Sequence, residues 1–293
     1  MTKTLRAAAI AAILLPLALT FTACSKLKAR DQLNKGVQAY KSMHYEQAIE
    51  NFKTAVTLDP SLPLARLYLA TAYANSYVPG VDSPENNTNA DQAIDNFKQV
   101  INATNPPPDK QTKVNALKGI ASILFNEASA LVNEKNFDAG AAKLNQAKEY
   151  QQKIIAEQPD DAEAHYSIGV IDWTLTYKPR MDLRAQLHLT DANEPIKDKK
   201  ACEALQAKNQ PLVDEGISEL QKAMDARKDY DDAMAYMNLM YREKADISCG
   251  DPAARQADLK EADNWVQKTM DTKKAKAEKQ SQQGGIVLDQ PAK

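Results

Sequence analysis

Three cysteines and three histidines are the side chains of this 293-residue sequence best suited to nucleophilic or soft-metal chemistry. They form no known constellation. The chain has no HExxH, no GxSxG, no CxxC and no Gly-rich phosphate loop, and Cys202 and Cys249 are far from any paired-ligand spacing. His44 falls in a turn between helical runs and His165 near the start of one, where any polar residue can sit, so both are read as structural or exposed. His188 shares a polar stretch with Asp182, Asp191 and Cys202. A metal site completed by Cys249 is conceivable there, although the spacing fits no ligand motif. The sequence therefore assigns no catalytic residue, no metal and no cofactor, and reads as a non-enzyme.

The amino-terminal residues bear on those thiols. Lys3 and Arg6 are followed by an apolar run from Ala7 to Leu19 and then by small residues up to Cys24, the pattern of an export leader cut before Cys24. The run is too short and too Ala-rich for a membrane span. Phe21-Thr22-Ala23-Cys24 resembles the lipobox of bacterial lipoproteins, with Phe21 where Leu is usual. That resemblance implies acylation of Cys24 on its sulfur and at the new amino terminus, and several acyl chains anchor stably where one does not. Residues 1–23 are then a signal peptide and 24–28 a lipidated cysteine with its tether. The expected location is the bacterial cell envelope, anchored on the exported side of a membrane and facing the periplasm in a Gram-negative cell. In that oxidising compartment Cys202 and Cys249 invite one disulfide, with two buried reduced thiols or a metal pair as the alternatives.

The elements that would position any of these residues are helices. With 43% hydrophobic residues, 26% charged residues and only 9 Gly, the composition favours helix over a strand-rich sandwich. The formal net charge of -2 gives no bulk attraction for nucleic acid. From Ala29 to Leu62 the chain reads as one unit of 34 residues, the tetratricopeptide period. Gly36 and Ala48 are small where two antiparallel helices approach, Tyr45, Phe52 and Ala55 lie on the inward face, and Asp59-Pro60 closes the second helix. These offsets resemble the tetratricopeptide repeat (TPR) family. The resemblance implies an all-α, right-handed superhelical array of about five helical hairpins.

Later units repeat the pattern with departures. In the second, Ala93 and Phe97 stand for Ala48 and Phe52, and Pro- and Asn-rich residues 78–90 read as an inserted loop. The third runs from Lys110 to Glu157. In the fourth, Gly169 stands for Gly36, and Gly216, Leu220 and Ala223 for Ala48, Phe52 and Ala55, with residues 174–211 as a larger insertion. A fifth runs from Asp231 to Met270 through a connection holding Cys249. Cys202 and Cys249 thus fall in connections of adjacent hairpins, which a stack places on one edge. The array is expected over 29–272 and a polar tail over 273–293, frayed helix followed by disorder.

The surface such a fold offers is the face lined by first helices. Its positions here are Leu33, Val37 and Tyr40, then Leu67, Thr71 and Asn75, then Tyr166, Val170 and Trp173, then Met237 and Tyr241. About half of such an apolar and aromatic stripe is expected to be core rather than surface. Leu33 and Val37 occupy the two first-unit positions where some relatives carry a Lys/Asn carboxylate clamp, so that mode is not expected. The reading is a membrane-anchored scaffold that binds another envelope protein or peptide. Its rival is a ligand- or metal-binding lipoprotein with its site in 174–211.

Overall fold

The computed structural model describes residues 24–133, 136–191 and 194–283, so the leader expected over 1–23 and the end of the tail over 284–293 lie outside the described residues. It forms two compact units that divide between Tyr150 and Gln151. The first holds α1 (residues 24–41), α2 (Tyr45–Leu58), α3 (Pro63–Ser76), α4 (Pro84–Ile101), α5 (Lys110–Asn133) and the start of α6 (Phe137–Glu157). The second holds the rest of α6, then α7 (Ala162–Gln186), α8 (Lys199–Ala226), α9 (Asp231–Asp246) and α10 (Pro252–Gln283). No strand occurs among the described residues, as expected of an all-α chain.

Local chemistry sets the helix ends. Ser83, Asp161 and Asp198 each accept a hydrogen bond from the backbone N–H three residues on, at 3.2, 2.9 and 2.9 Å, and Pro63 and Pro84 open their helices with the one residue that has no N–H to lose. Helices α1 and α7 end alike. Met43 (φ 60°) and His188 (φ 57°) take the left-handed conformation, and the next N–H closes back five residues, His44 to the Ala39 carbonyl and Leu189 to the Arg184 carbonyl, both at 2.9 Å. His188, the least explained histidine of the sequence, is therefore an exposed helix terminator.

Within each unit consecutive helices pack on one another, and first helices also meet first helices, α3 on α5 and α7 on α9. The close approach is set by glycine. A Cβ on Gly36 would lie 2.4 Å from the Phe52 ring, on Gly119 2.4 Å from the Phe97 ring, and on Gly169 2.5 Å from Leu220. Phe52 is 1% exposed and Leu220 0%. Burial of each such side chain contributes about 2–3 kcal/mol and requires that its partner have none.

Two expected insertions are mostly helix. Only residues 77–83 separate α3 from α4, because Asn86 holds that connection tightly: its side chain accepts from Val78 N at 2.7 Å and donates to the carbonyls of Val78 at 2.9 Å and Val81 at 2.7 Å. Of 174–211, only 187–198 lies between helices, since α7 continues through Pro179 and α8 begins at Lys199 and continues through Pro211. The prolines are overridden by packing. Leu175, Thr176, Leu205 and Asn209 are buried at the junction, and Asn209 donates to the Thr176 carbonyl at 3.0 Å. The tail expected from 273 is likewise helical to Gln283, pinned where Lys276 meets Asp231 at 2.5 Å. Residues 24–28, expected as a tether, are the first turn of α1.

The lengthened fourth hairpin encloses charge. On α7, Arg184 Nη1 lies 2.9 Å from Asp246 Oδ2 and donates to the Glu194 carbonyl at 3.0 Å, and its Nη2 donates to the Asp191 carbonyl. Arg180 Nε lies 3.0 Å from Glu243 Oε1, and Arg255 of α10 approaches Asp246 at 3.7 Å. Cys202 of α8 and Cys249 of the α9–α10 connection are joined by a disulfide with Cα atoms 5.6 Å apart, beside Asp246 on the chain. Burial pushes the Glu243 carboxyl up to about 8, with Arg180 opposing and Asp246 reinforcing the rise.

Two outcomes follow from this packing. Gly36→Val should lower unfolding stability by about 2–3 kcal/mol, because the ring of Phe52 has no free space to retreat into; denaturant titration against the native chain measures it, and an unchanged midpoint would contradict the packing described. The folded chain retains a proton on Glu243 that the unfolded chain releases, so that contribution to stability is complete below about pH 4.5 and is lost as pH rises through about 8. Thermal unfolding of Glu243→Gln should therefore fall less steeply from about pH 5 to about pH 9 than that of the native chain. Parallel profiles would show that the carboxyl is ionised throughout.

Candidate functional site

The eleven stripe positions separate into core and surface. Leu67, Val170 and Met237 are 6, 8 and 1% exposed and belong to the interior. In the first unit Leu33, Val37, Tyr40 and Thr71 are half-buried and Asn75 is exposed. Their polar atoms are engaged: Asn75 Nδ2 donates to Tyr40 Oη at 2.5 Å, and Thr71 Oγ1 to the Leu67 carbonyl at 2.9 Å. Tyr40 also packs on the ring of Tyr45 at 5.5 Å. This face is a closed lattice of short contacts with few free donors.

The second unit gathers aromatic rings. Tyr166 and Trp173 on α7, both expected, are half-buried and each meets Tyr236 of α9, at 5.6 and 5.4 Å in edge-on geometry. Tyr166 also contacts Tyr230 at 4.9 Å, and Trp173 contacts Tyr177 at 5.0 Å. The result is an unbroken ladder Tyr230, Tyr166, Tyr236, Trp173, Tyr177, extended by Met181, with the last two 39 and 38% exposed. Edge-on and tilted pairs at these separations are the favoured aromatic geometries, so the ladder holds its own shape without a ligand. Tyr241 is half-buried but stands outside it, beneath the Lys244 ammonium at 5.5 Å.

Charge fixes both ends of the ladder. At one, Tyr230 Oη donates to Glu163 Oε2 at 2.7 Å, Arg227 Nη2 pairs with Glu163 Oε1 at 2.7 Å, and the guanidinium lies 4.1 Å over the Tyr230 ring. At the other, Arg180 lies 5.7 Å from the Tyr177 ring centroid while its Nε faces buried Glu243. Burial raises the Tyr166 and Tyr230 phenols well above the usual value, joined at Tyr166 by the Tyr236 phenol and at Tyr230 by the Glu163 carboxylate, so both stay neutral and Tyr230 donates to Glu163. The face is apolar in its middle and polar at its rim.

Tyr177, Tyr230 and Tyr236 were not among the positions read from the sequence. Tyr177 follows Trp173 at i+4, a spacing that places both on one helix face and was legible. Tyr236 is adjacent to the expected Met237; the true face of α9 is turned by one residue, which a glycine-less first helix does not announce. His165 is 4% exposed, with Nδ1 2.5 Å from Glu219 Oε2 and Nε2 2.8 Å from the Pro159 carbonyl, so it joins α8 to the turn before α7. Among the described residues no three His, Cys, Asp or Glu side chains are grouped to hold a metal ion.

No protein-family profile matches the chain and no curated protein matches it. Among solved structures it is similar to MamA from Desulfovibrio magneticus (15% identity over 85% of this chain and 96% of that one, TM-score 0.48). It is also similar to YrrB, described as a TPR protein with an unusual peptide-binding site (14% identity, 84% and 90% coverage, TM-score 0.41), and to a thermophilic TPR protein of Thermus thermophilus (20% identity, 72% and 98% coverage, TM-score 0.38). At these identities and scores the likenesses support no functional argument. The 34-residue first unit and the glycine-seated Phe52, Phe97 and Leu220 are the chain's own evidence that it is a protein of tetratricopeptide-type helical hairpins.

Proposed function

We propose that this protein is a membrane-anchored scaffold of the bacterial cell envelope that binds a segment of another protein on the aromatic ladder of α7 and α9. The single observation that carries the binding role is that ladder: five rings in continuous contact that run from buried Tyr230 through half-buried Tyr166, Tyr236 and Trp173 to exposed Tyr177, with Met181 exposed beside it. Preformed aromatic surfaces take up apolar, aromatic or proline-bearing segments with little ordering cost. The anchor is supported by the leader pattern and by Cys24, which is exposed and outside the disulfide. In 174–211, Cys202 is bonded to Cys249 and His188 ends a helix, so neither serves as a metal ligand there, and the cavity of about 380 Å³ lined by Pro195, Ile196, Lys199 and Cys202 is where a small-ligand reading would have to place its site.

Two experiments test the two halves. Crosslinking in the native cell followed by mass spectrometry should capture one reproducible partner, and the double variant Trp173→Ala and Tyr236→Ala should reduce its capture about tenfold while helicity is retained. Undiminished capture by the folded variant would remove the ladder from the binding role. Cys24→Ala should move the protein from the membrane to the soluble fraction; unchanged fractionation would end the lipoprotein reading.

A further inference from the structure

The amino-terminal turn of α1 gives the anchor a fixed geometry. The helix runs from Cys24, the first described residue, and Ala29 is already 0% exposed, so a single turn separates the cysteine from the packed body. Leu27, one turn from Cys24 on the same helix face, is 71% exposed. Lys26, Lys28 and Arg30 are exposed around it, and the nearest acid, Asp31, is paired with Lys35 at 2.8 Å.

The neighbouring helices extend this edge. Tyr40, near the end of α1, meets Asn75, near the end of α3, at 2.5 Å, so the two helices run in the same direction and begin on the same side of the first unit. Helix α5 packs on α3 and, being two elements further on, begins there as well. That side carries Leu64, 43% exposed, and exposed Lys110, together with the carboxylates of Asp59 and Asp109, which accept from Ser61 Oγ at 2.5 Å and Thr112 Oγ1 at 2.7 Å and keep their charge, so the basic excess of the edge comes from Lys26, Lys28 and Arg30. The opposite edge is the more acidic one, with exposed Glu46, Asp82 and Glu85 against Lys41 around the α1–α2 turn and the start of α4, and it carries exposed Val78 and Val81 as well. Met43, 76% exposed, marks that edge.

We propose that the edge formed by the starts of α1, α3 and α5 lies against an anionic bilayer surface, with Leu27 and Leu64 in the headgroup region and Lys26, Lys28, Arg30 and Lys110 on the lipid charges. This rests on acylation of Cys24. The acyl chains emerge from a helix integral to the fold instead of a free tether, so they hold this edge at the surface. Each basic residue near an anionic leaflet strengthens its attraction about fivefold, whereas the acids of the opposite edge are repelled.

The test uses the acylated chain in vesicles of phosphatidylcholine with about one third phosphatidylglycerol. Because Cys24 is acylated and Cys202 and Cys249 are bonded, one introduced cysteine takes a fluorophore selectively. A label at Leu64→Cys should be quenched several-fold more strongly by a lipid-borne spin label than one at Met43→Cys. Adding Lys26→Glu, Lys28→Glu and Arg30→Glu should bring the Leu64 label down to the Met43 level. Equal quenching at the two sites on acylated protein, or no effect of the charge reversals, overturns the proposed edge while leaving the anchor intact. A Cys24 peptide without acyl mass overturns both, and mass spectrometry reads that outcome separately.

Discussion

Three of the helix pairs in this protein depend on one steric constraint: where the two helices come closest, one carries hydrogen in place of a side chain. Gly36 under Phe52, Gly119 under Phe97 and Gly169 under Leu220 satisfy it in turn. A ring or a Leu then fills the space down to the facing backbone, and the interaxial distance is set by that one side chain. The consequence reaches beyond the hairpin. With spacing fixed, first helices come alongside one another within each unit, and side chains far apart in sequence meet: Tyr40 with Asn75, Trp173 with Tyr236. The surfaces of both units are by-products of this close seating.

The fourth hairpin adds length, and the added length is held by different physics. Apolar packing continues through Ile168, Ile171 and Leu220, but around Cys202 the interior turns polar, with Arg184, Glu243 and Asp246 between 0 and 4% exposed. Burying charges such as those of Arg184 and Asp246 costs several kcal/mol per ion unless partners surround them, and Glu243 avoids that cost by keeping its proton, so this cluster adds little stability while its geometry fixes which groups meet. Arg184 illustrates the second property: one guanidinium reads the side chain of α9 and two carbonyls of the α7–α8 connection at once. Arg180 links that cluster to the aromatic ladder, facing Glu243 with Nε and the Tyr177 ring with its plane edge. The disulfide adds a covalent tie at the same corner, closing a sequence separation of 47 residues.

How far the sequence foretold this differs by feature. The first unit was legible because every signal agreed: small residues at the approach, an aromatic at the buried position, Asp59-Pro60 at the end. The fourth unit was misread in its extent because Pro179 and Pro211 are local helix-breaking signals, and the burial that overrides them, at Leu175 and Asn209, depends on partners distant in the chain. The polar tail reads as frayed helix passing into disorder, and the helix runs on to Gln283. Its lysines look solvated, yet Lys276 finds Asp231 across 45 residues. At the candidate site, Tyr166 and Trp173 followed from counting three residues back and four on from Gly169, whereas α9 has no glycine to count from and its face came out one residue astray.

The difference between a tethered and a helix-mounted anchor has a functional consequence that the binding surface alone does not reveal. A flexible tether spreads a scaffold over every orientation and over a range of heights, and its effective concentration for a membrane-associated partner falls with the volume it samples. A cysteine set in α1, one turn from fully buried Ala29, removes most of that freedom from the first unit. The exposed charges would then act as a second constraint on the proposed anchor, since Lys26, Lys28 and Arg30 lie within two turns of Cys24 while Glu46 and Glu85 lie beyond the far end of the same helix. Acylation of a cysteine so placed would select an orientation as well as a compartment.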